Sequence, residues 1–148
     1  MSIYLDTNVF IAAVEGDRDE IRSAIWRLFA ASELRGGVLA TSELSIAELL
    51  VKPLEMELAA VVQSYSDLLT DGHGLTVVPV DRDVLIRAAH IRKDDRAIKL
   101  PDAIHLATAD RTESSVILTD DKRLSAKRPG VCRPILVETL DAIAREFS

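Results

Sequence analysis

Short apolar segments alternate with longer helix-like segments along this chain, and that alternation constrains the fold more than any other feature. Segments typical of strands cover residues 3–5, 38–41, 75–80, 116–119 and, more weakly, 135–137. Because helical segments separate them, the strands can return only through long crossovers, which favours parallel pairing. The pattern predicts an α/β fold in three layers, α/β/α, with a central parallel sheet of four to five strands.

The predicted helices cover residues 7–14, 19–34, 54–69, 83–96, 101–111 and 139–147. A further helix is predicted to start after Ser42, whose side chain can cap free backbone N–H groups. Pro53 is expected to interrupt that helix near residue 52, since proline removes a helical hydrogen bond.

Size and composition indicate one ordinary globular domain over residues 1–148. The chain is 48% hydrophobic and 28% charged, which argues against disordered, collagen-like and coiled-coil classes. Its longest uncharged runs have nine residues, whereas a membrane-spanning helix needs about twenty. The N-terminus lacks the pattern of a signal peptide, so we expect a cytoplasmic protein without membrane segments. A lone cysteine, Cys132, excludes an internal disulfide and a zinc site built on several thiolates.

The charge distribution says more about partners than the net charge of −6 does. An acidic total argues weakly against a generic nucleic-acid binder, which usually has a basic footprint. However, residues 122–133 carry five basic side chains and no acid, and five more basic residues lie between Arg87 and Lys99. Either cluster can be solvated surface or a contact for phosphate groups.

Acidic residues follow two of the predicted strands. Asp6 comes directly after the first strand, and Asp120 and Asp121 come directly after the strand at residues 116–119. In parallel sheets, ligands bind beyond the carboxyl ends of the strands, where the strand order reverses. We therefore expect these carboxylates to meet at one edge of the sheet.

Two further acids lie on helices. Glu48 shares a helix face with Leu44, Ala47 and Val51, and a carboxylate buried on such a face needs a partner or a metal. Asp102 follows Pro101, which suits the first position of a helix. Each acid also has a structural explanation, because Asp6 and Asp102 can cap or complement a helix and Asp120–Asp121 can form a turn. Together they favour a site for Mg²⁺ or Mn²⁺, which prefer oxygen ligands, and hence phosphodiester hydrolysis.

Four segments carry these acids: LDTNVFI at residues 5–11, SIAEL at 45–49, LPDAIHLATA at 100–109 and LTDDKRL at 118–124. In content, order and spacing they resemble the motifs of the PIN-domain family, and within it the VapC-like toxin ribonucleases of type II toxin–antitoxin systems. The resemblance implies a Mg²⁺- or Mn²⁺-dependent endoribonuclease that hydrolyses RNA with a metal-activated water, leaving a 5′-phosphate and a 3′-hydroxyl. It also implies a homodimer and a cognate antitoxin on a separate chain.

By position, the resemblance implies that Asp6, Glu48 and Asp102 are the first three acids of the catalytic and metal site. The fourth is Asp121, with Asp120 as the open alternative. Asn8 and Thr119 correspond to accessory polar residues that hold waters or orient a carboxylate, and Leu124 stands where an aromatic residue often occurs. Candidate contacts to the RNA backbone are Lys122, Arg123, Lys127 and Arg128.

Two other functions stay open from the sequence. The first is a catalytically silent PIN domain that only binds RNA or protein. The second is a Mg²⁺-dependent phosphotransfer or phosphatase domain, which also uses an Asp after the first strand. The phosphatase pattern, however, has a second Asp where this chain has Asn8, and neither pattern explains Glu48. Nucleophilic catalysis has little support, because Cys132 reads as structural and His105 as a packing or hydrogen-bonding residue.

Overall fold

The protein structure is a computed structural model that describes residues 2–147. Along that range strands and helices alternate as the sequence predicts. The strands are β1 (Ser2–Leu5), β2 (Leu39–Ser42), β3 (Leu75–Val78), β4 (Ser114–Leu118) and β5 (Cys132–Arg133). The helices are α1 (Thr7–Val14), α2 (Asp19–Leu34), α3 (Leu44–Glu55), α4 (Ala59–Leu68), α5 (Arg82–Asp94), α6 (Leu100–Arg111), α7 (Lys122–Lys127) and α8 (Val137–Glu146).

The five strands form one parallel sheet in the order β3-β2-β1-β4-β5. The chain builds the sheet outward from β1 through β2 to β3, and then returns to the other side of β1 with β4 and β5. The strand order therefore reverses between β1 and β4. The predicted α/β class and central parallel sheet are confirmed, and the functional edge expected from them is the carboxyl end of β1 and β4.

Helices cover both faces of the sheet, which gives the predicted three layers. Ile3 and Leu5 of β1 face a core that α1, α2 and α8 complete, whereas Tyr4 faces a second core built with α5 and α6. This alternation follows from the two-residue period of a strand. It places the Tyr4 ring beneath α6, the helix that carries Asp102.

Helix α3 continues through Pro53 to Glu55, so the predicted interruption at Pro53 is wrong, and α4 begins at Ala59 instead of residue 54. Proline removes one hydrogen bond, to the carbonyl four residues earlier. Here Pro53 lies in the last turn and is buried on the same face as Ser45 and Leu49. That packing offsets the lost hydrogen bond.

The last strand lies at Cys132–Arg133 and not at the predicted residues 135–137. Ile117 and Leu118 of β4 pair with these two residues, and Pro134, which has no N–H, follows them and ends the ladder. The short helix α7 is absent from the sequence prediction, since six residues are too few for a helical period to be recognised. Within residues 2–147, no helix combines the length and apolar character needed to cross a bilayer.

Gly74 is a point of close backbone approach that the fold requires. Ser32 Oγ donates to the Gly74 carbonyl at 2.6 Å and accepts from the Val38 N–H at 2.8 Å, which joins the end of α2 to the start of β2 and β3. Gly74 has φ +81°, and a Cβ there would lie 2.7 Å from the backbone nitrogen of Glu33. Gly36 has a similar φ of +78° but open space around it.

Comparing Gly36→Ala with Gly74→Ala should separate backbone strain from crowding. Gly36→Ala should lower the free energy of unfolding by about 1 kcal/mol, the cost of a left-handed conformation for a residue with a Cβ. Gly74→Ala should cost about 1–3 kcal/mol more, because the added methyl overlaps backbone that cannot move aside. Urea unfolding followed by circular dichroism measures both, and equal losses would contradict the crowding.

Candidate active site

Asp6 and Thr119 join the carboxyl ends of the two central strands. Each follows its strand directly, and the Asp6 N–H donates to the Leu118 carbonyl at 3.0 Å. Thr119, which is fully buried, donates from Oγ1 to Asp6 Oδ2 at 2.6 Å. The other carboxylate oxygen, Oδ1, accepts from the Thr7 N–H and caps α1. Asp6 therefore has the structural role of a helix cap and is also held at the functional edge of the sheet.

Thr119 also orients Asp121. The Asp121 N–H donates to Thr119 Oγ1 at 3.0 Å. Asp121 Oδ1 in turn accepts from the backbone N–H groups of Arg123 and Leu124, and so caps α7. One buried hydroxyl thus fixes the backbone of one carboxylate residue and the side chain of another.

Asp120 has a different contact. Its Oδ1 accepts from the Ile135 N–H at 3.0 Å. This hydrogen bond anchors the segment between β5 and α8 to the end of β4, and it replaces the strand pairing that the sequence suggested for residue 135. Asp120 thus links the end of β4 to the segment before α8, next to the site.

Glu48 projects from α3 and contacts two other elements. Its Oε1 accepts from Thr7 Oγ1 at 2.9 Å and lies 2.6 Å from His105 Nε2. The expected burial of its helix face holds only for Leu44, which packs partly against the second core, whereas Ala47 is exposed and Val51 is 56% exposed. A partner or a metal was expected for Glu48, and in the structure its carboxylate contacts His105 and Thr7. Burial would raise the pKa of Glu48, but the hydrogen bonds from His105 and Thr7 and the charge of a protonated His105 lower it below its ordinary value.

Asp102 lies in the first turn of α6 and is half-buried. Burial, and then the negative charges of Asp121 and Asp6, raise the pKa of its carboxyl above the ordinary value. His105 and Arg123 oppose this shift without cancelling it. The carboxylates that follow β1 and β4 and the carboxylate on α6 therefore act electrostatically on one another.

The donor chemistry of this group suits a hard divalent cation. Within residues 2–147, no three carboxylate, imidazole or thiol groups already converge on one point as bound metal ligands do. Glu48 and Asp121 each receive their side-chain hydrogen bonds on one oxygen only, and in the described chain Asp102 receives none. Free carboxylate oxygens under mutual repulsion fit Mg²⁺ or Mn²⁺, which take oxygen ligands and offset the charge.

The basic residues singled out in the sequence have unequal surroundings. Lys122 and Arg123 are exposed at the start of α7, and the charge of Arg123 reaches Asp102. Lys99, Arg123 and Lys127 line the same groove as Asp102. Lys127, however, forms an ion pair with Asp95 at 2.7 Å. In the second basic cluster, Arg87 pairs with Asp110 and Lys93 lies 3.4 Å from Asp94.

Other predicted accessory positions and missed contacts complete the site. Asn8 is exposed on the first turn of α1, two residues after Asp6. Thr7 and His105, which contact Glu48, were missed as site residues. His105 was expected to pack or form a hydrogen bond, which is confirmed, but its partner depends on how α3 and α6 meet. The only signal in the sequence is that His105 follows Asp102 by one helical turn.

Asp102→Asn should make the stability of the metal-free protein less dependent on pH. The folded state raises the pKa of Asp102, so it binds that proton more tightly than the unfolded chain does, and ionisation opposes folding. As pH rises from the ordinary carboxyl pKa to the raised pKa of Asp102, the unfolding free energy of the wild type should fall relative to that of the variant. Above the raised pKa the two curves of unfolding free energy against pH should run parallel. Urea titrations in EDTA at several pH values test this. Parallel curves at every pH would contradict it, and the exposed Asp17→Asn serves as the control.

Solved structures share this fold. A toxin–antitoxin complex from Klebsiella pneumoniae contains a chain that is 24% identical, with a TM-score of 0.65 over 91% of this chain and 98% of that one. VapBC2 from Rickettsia felis, bound to a DNA fragment from its promoter, matches at 14% identity and a TM-score of 0.69, over 90% of this chain and 98% of its own. VapC20 from Mycobacterium tuberculosis, a sarcin–ricin loop cleaving toxin, matches at 22% identity and a TM-score of 0.63, over 86% and 95%.

At these identities the likeness establishes a common fold. No curated protein sequence matches the chain at a significant level. The family model of the PIN domain matches residues 3–128, which span all four acidic motifs. The chain belongs to the PIN domain family.

Proposed function

We propose that this protein is a Mg²⁺- or Mn²⁺-dependent endoribonuclease that hydrolyses phosphodiester bonds of RNA, acting as a single domain. The observation that carries the proposal is that Thr119 holds both Asp6 and Asp121 at the carboxyl end of β1 and β4. The raised pKa of Asp102, caused by burial and by the charges of Asp121 and Asp6, supports it. Acids whose pKa is shifted by burial and by neighbouring charges cluster at functional sites. A divalent cation bound by these carboxylates would offset their mutual repulsion and supply the charge needed to act on a phosphate group.

The proposed ligands of one or two divalent ions are Asp6, Glu48, Asp102 and Asp121. When bound, such an ion lowers the pKa of a water molecule and stabilises charge on a phosphate group. The residues around the carboxylates hold them in place. Thr119 orients Asp6 and Asp121, while Thr7 and His105 hold Glu48.

Asp121 is the better candidate for the fourth acid. The Thr119 hydroxyl that holds Asp6 also accepts from the Asp121 N–H, and the charge of Asp121 raises the pKa of Asp102, whereas Asp120 accepts from the Ile135 N–H. We propose that Asn8, exposed beside Asp6, contacts water or substrate. Arg123 and Lys127, which line the groove beside Asp102, are proposed RNA contacts, as are the neighbouring Lys122 and Arg128 on the same segment.

The biological role we propose is that of the toxin in a type II toxin–antitoxin pair. It rests on the likeness to chains of toxin–antitoxin and VapBC complexes and to VapC20, together with the motif pattern. The proposed partners are RNA as substrate, a cognate antitoxin on a separate chain and a second copy of this chain. Such a ribonuclease would act in the cytoplasm, where its RNA is.

A silent PIN domain that only binds RNA or protein is the second candidate. Presence of all four acids favours an active site over this alternative. A phosphotransfer or phosphatase domain fits less well, because Asn8 replaces its second Asp and Glu48 would have no function. Metal-dependent cleavage separates the three.

Incubation of the purified protein with a mixed cellular RNA pool and Mg²⁺ or Mn²⁺ should give discrete fragments with 5′-phosphate ends. EDTA and Asp6→Asn should each abolish them, because an amide is a poor ligand for a hard cation. The fold should persist in Asp6→Asn, since Asn also caps helices well. Asp17→Asn, in the exposed loop between α1 and α2, should cleave like the wild type. Cleavage by Asp6→Asn at the wild-type rate would contradict the assignment, and lack of cleavage by the folded wild type would favour the binding module.

Replacing both Lys122 and Arg123 by Ala should weaken RNA binding, measured in the Asp6→Asn background so that the RNA survives. The slope of log affinity against log salt should shrink by about 0.7 for each phosphate of single-stranded RNA that the variant no longer neutralises. Lys127→Ala should have a smaller effect, since Asp95 already pairs with that ammonium group. An unchanged affinity and slope in the double variant would place the RNA elsewhere.

A further inference from the structure

A buried row of side chains connects the second core to Glu48. The Tyr4 hydroxyl lies 2.5 Å from His105 Nδ1, and His105 Nε2 lies 2.6 Å from Glu48 Oε1. Tyr4 is 1% exposed and His105 is 3% exposed, while the Glu48 side chain is 34% exposed. The three residues come from β1, α6 and α3. The row therefore runs from the interior to the carboxylate that faces the site.

The direction of the hydrogen bond to Glu48 follows from its chemistry. A carboxylate oxygen can only accept, so Nε2 must carry the hydrogen, because a ring lone pair there would face the lone pairs of Oε1. In the neutral ring Nδ1 is then the acceptor, and the Tyr4 hydroxyl donates to it. In the charged ring both nitrogens donate. In either form His105 donates to Glu48 and Tyr4 fixes the orientation of the imidazole.

Glu48 is held differently from the other acids of the site. Asp6 and Asp121 are fixed by backbone N–H groups at helix caps and by Thr119. Glu48 has a longer side chain, and its contacts are the side chains of His105 and Thr7. Both fall on Oε1, and in the described chain Oε2 accepts no hydrogen bond. One oxygen is thus held by the protein and the other stays available.

We propose that His105 is a positioning residue that holds Oε1 of Glu48 so that Oε2 is presented to a divalent cation. The inference deepens the proposed function and rests on it. Helix α6 contributes both Asp102 and His105, so it supplies one carboxylate directly and holds a second one in place. Tyr4 supports His105 from beneath and touches neither cation nor substrate.

The test is Mn²⁺ binding without RNA, measured by calorimetry on the wild type, Glu48→Gln and the double variant Tyr4→Phe/His105→Leu. Replacing both buried partners by apolar groups removes both ends of the Tyr4–His105 hydrogen bond together, so neither residue is left as an unpaired buried polar group and the double variant should fold. It should bind Mn²⁺ about 10-fold more weakly, as removal of an outer-shell partner does. Thr108→Val is the matched control on α6, because within residues 2–147 the Thr108 hydroxyl hydrogen bonds only to its own helix, at Ile104 O. The Thr108→Val variant should bind Mn²⁺ with the affinity of the wild type.

Single substitutions of His105, and their combination with Glu48→Gln, show whether His105 positions Glu48 or only packs in the core. His105→Gln keeps a donor that reaches Glu48 and should retain most of the affinity, whereas His105→Asn is one methylene shorter and should lose it. If the double variant fails to fold, the comparison of His105→Gln with His105→Asn tests the positioning role instead. Added to Glu48→Gln, the Tyr4→Phe/His105→Leu change should cause no further loss, because His105 acts only through Glu48. In RNA cleavage, the Mn²⁺ concentration for half-maximal rate should rise while the saturated rate changes little.

Wild-type affinity in folded Tyr4→Phe/His105→Leu, or in His105→Asn, would overturn the positioning role while leaving the proposed function intact, provided that Glu48→Gln binds weakly. A further loss in the Glu48→Gln background would overturn it as well. Failure of the wild type to bind Mn²⁺ would instead overturn the proposed function, and this inference with it.

Discussion

The hydrogen bond from Thr119 Oγ1 to Asp6 Oδ2 is the interaction on which the site depends. It crosses between β1 and β4, the neighbouring strands between which the order of the sheet reverses. The same hydroxyl accepts from the Asp121 N–H, so a single buried group relates two carboxylates whose residues are far apart in sequence. Parallel strands are needed for this contact, because only they bring both carboxyl ends to the same edge.

Electrostatic repulsion is the second constraint. Asp102 is half-buried, and burial together with the negative charges of Asp121 and Asp6 raises the pKa of its carboxyl, so its ionised form is destabilised in the folded protein. The fold tolerates it because the two cores on either side of the sheet carry the stability, and the site lies beyond both of them. Glu48 is the exception, since His105 and Thr7 lower its pKa and hold it in place. The site thus combines carboxylates that repel with one that is individually supported.

The sequence predicted most of the architecture because periodicity is a local signal. The bounds of α1 and α2 agree with the predicted residues 7–14 and 19–34, and the acids after β1 and β4 lie at the predicted edge. The sequence predictions were wrong where contacts between residues distant in sequence determine the local structure. Packing of Pro53 keeps α3 intact, the bond from the Ile135 N–H to Asp120 replaces a strand, and the exposed face of α3 includes Glu48. The contact between His105 and Glu48 depends on the packing of α3 against α6, which no local pattern contains.

The most direct test of the central claim is a crystal structure of the protein grown with Mn²⁺, with anomalous scattering collected to locate the ion. We predict an anomalous peak coordinated by oxygens of Asp6, Asp102 and Asp121, with Glu48 bound directly or through water and Asp120 still bonded to the Ile135 N–H. An intact, well-ordered carboxylate edge without a peak at saturating Mn²⁺, or a peak held by other residues, would contradict it.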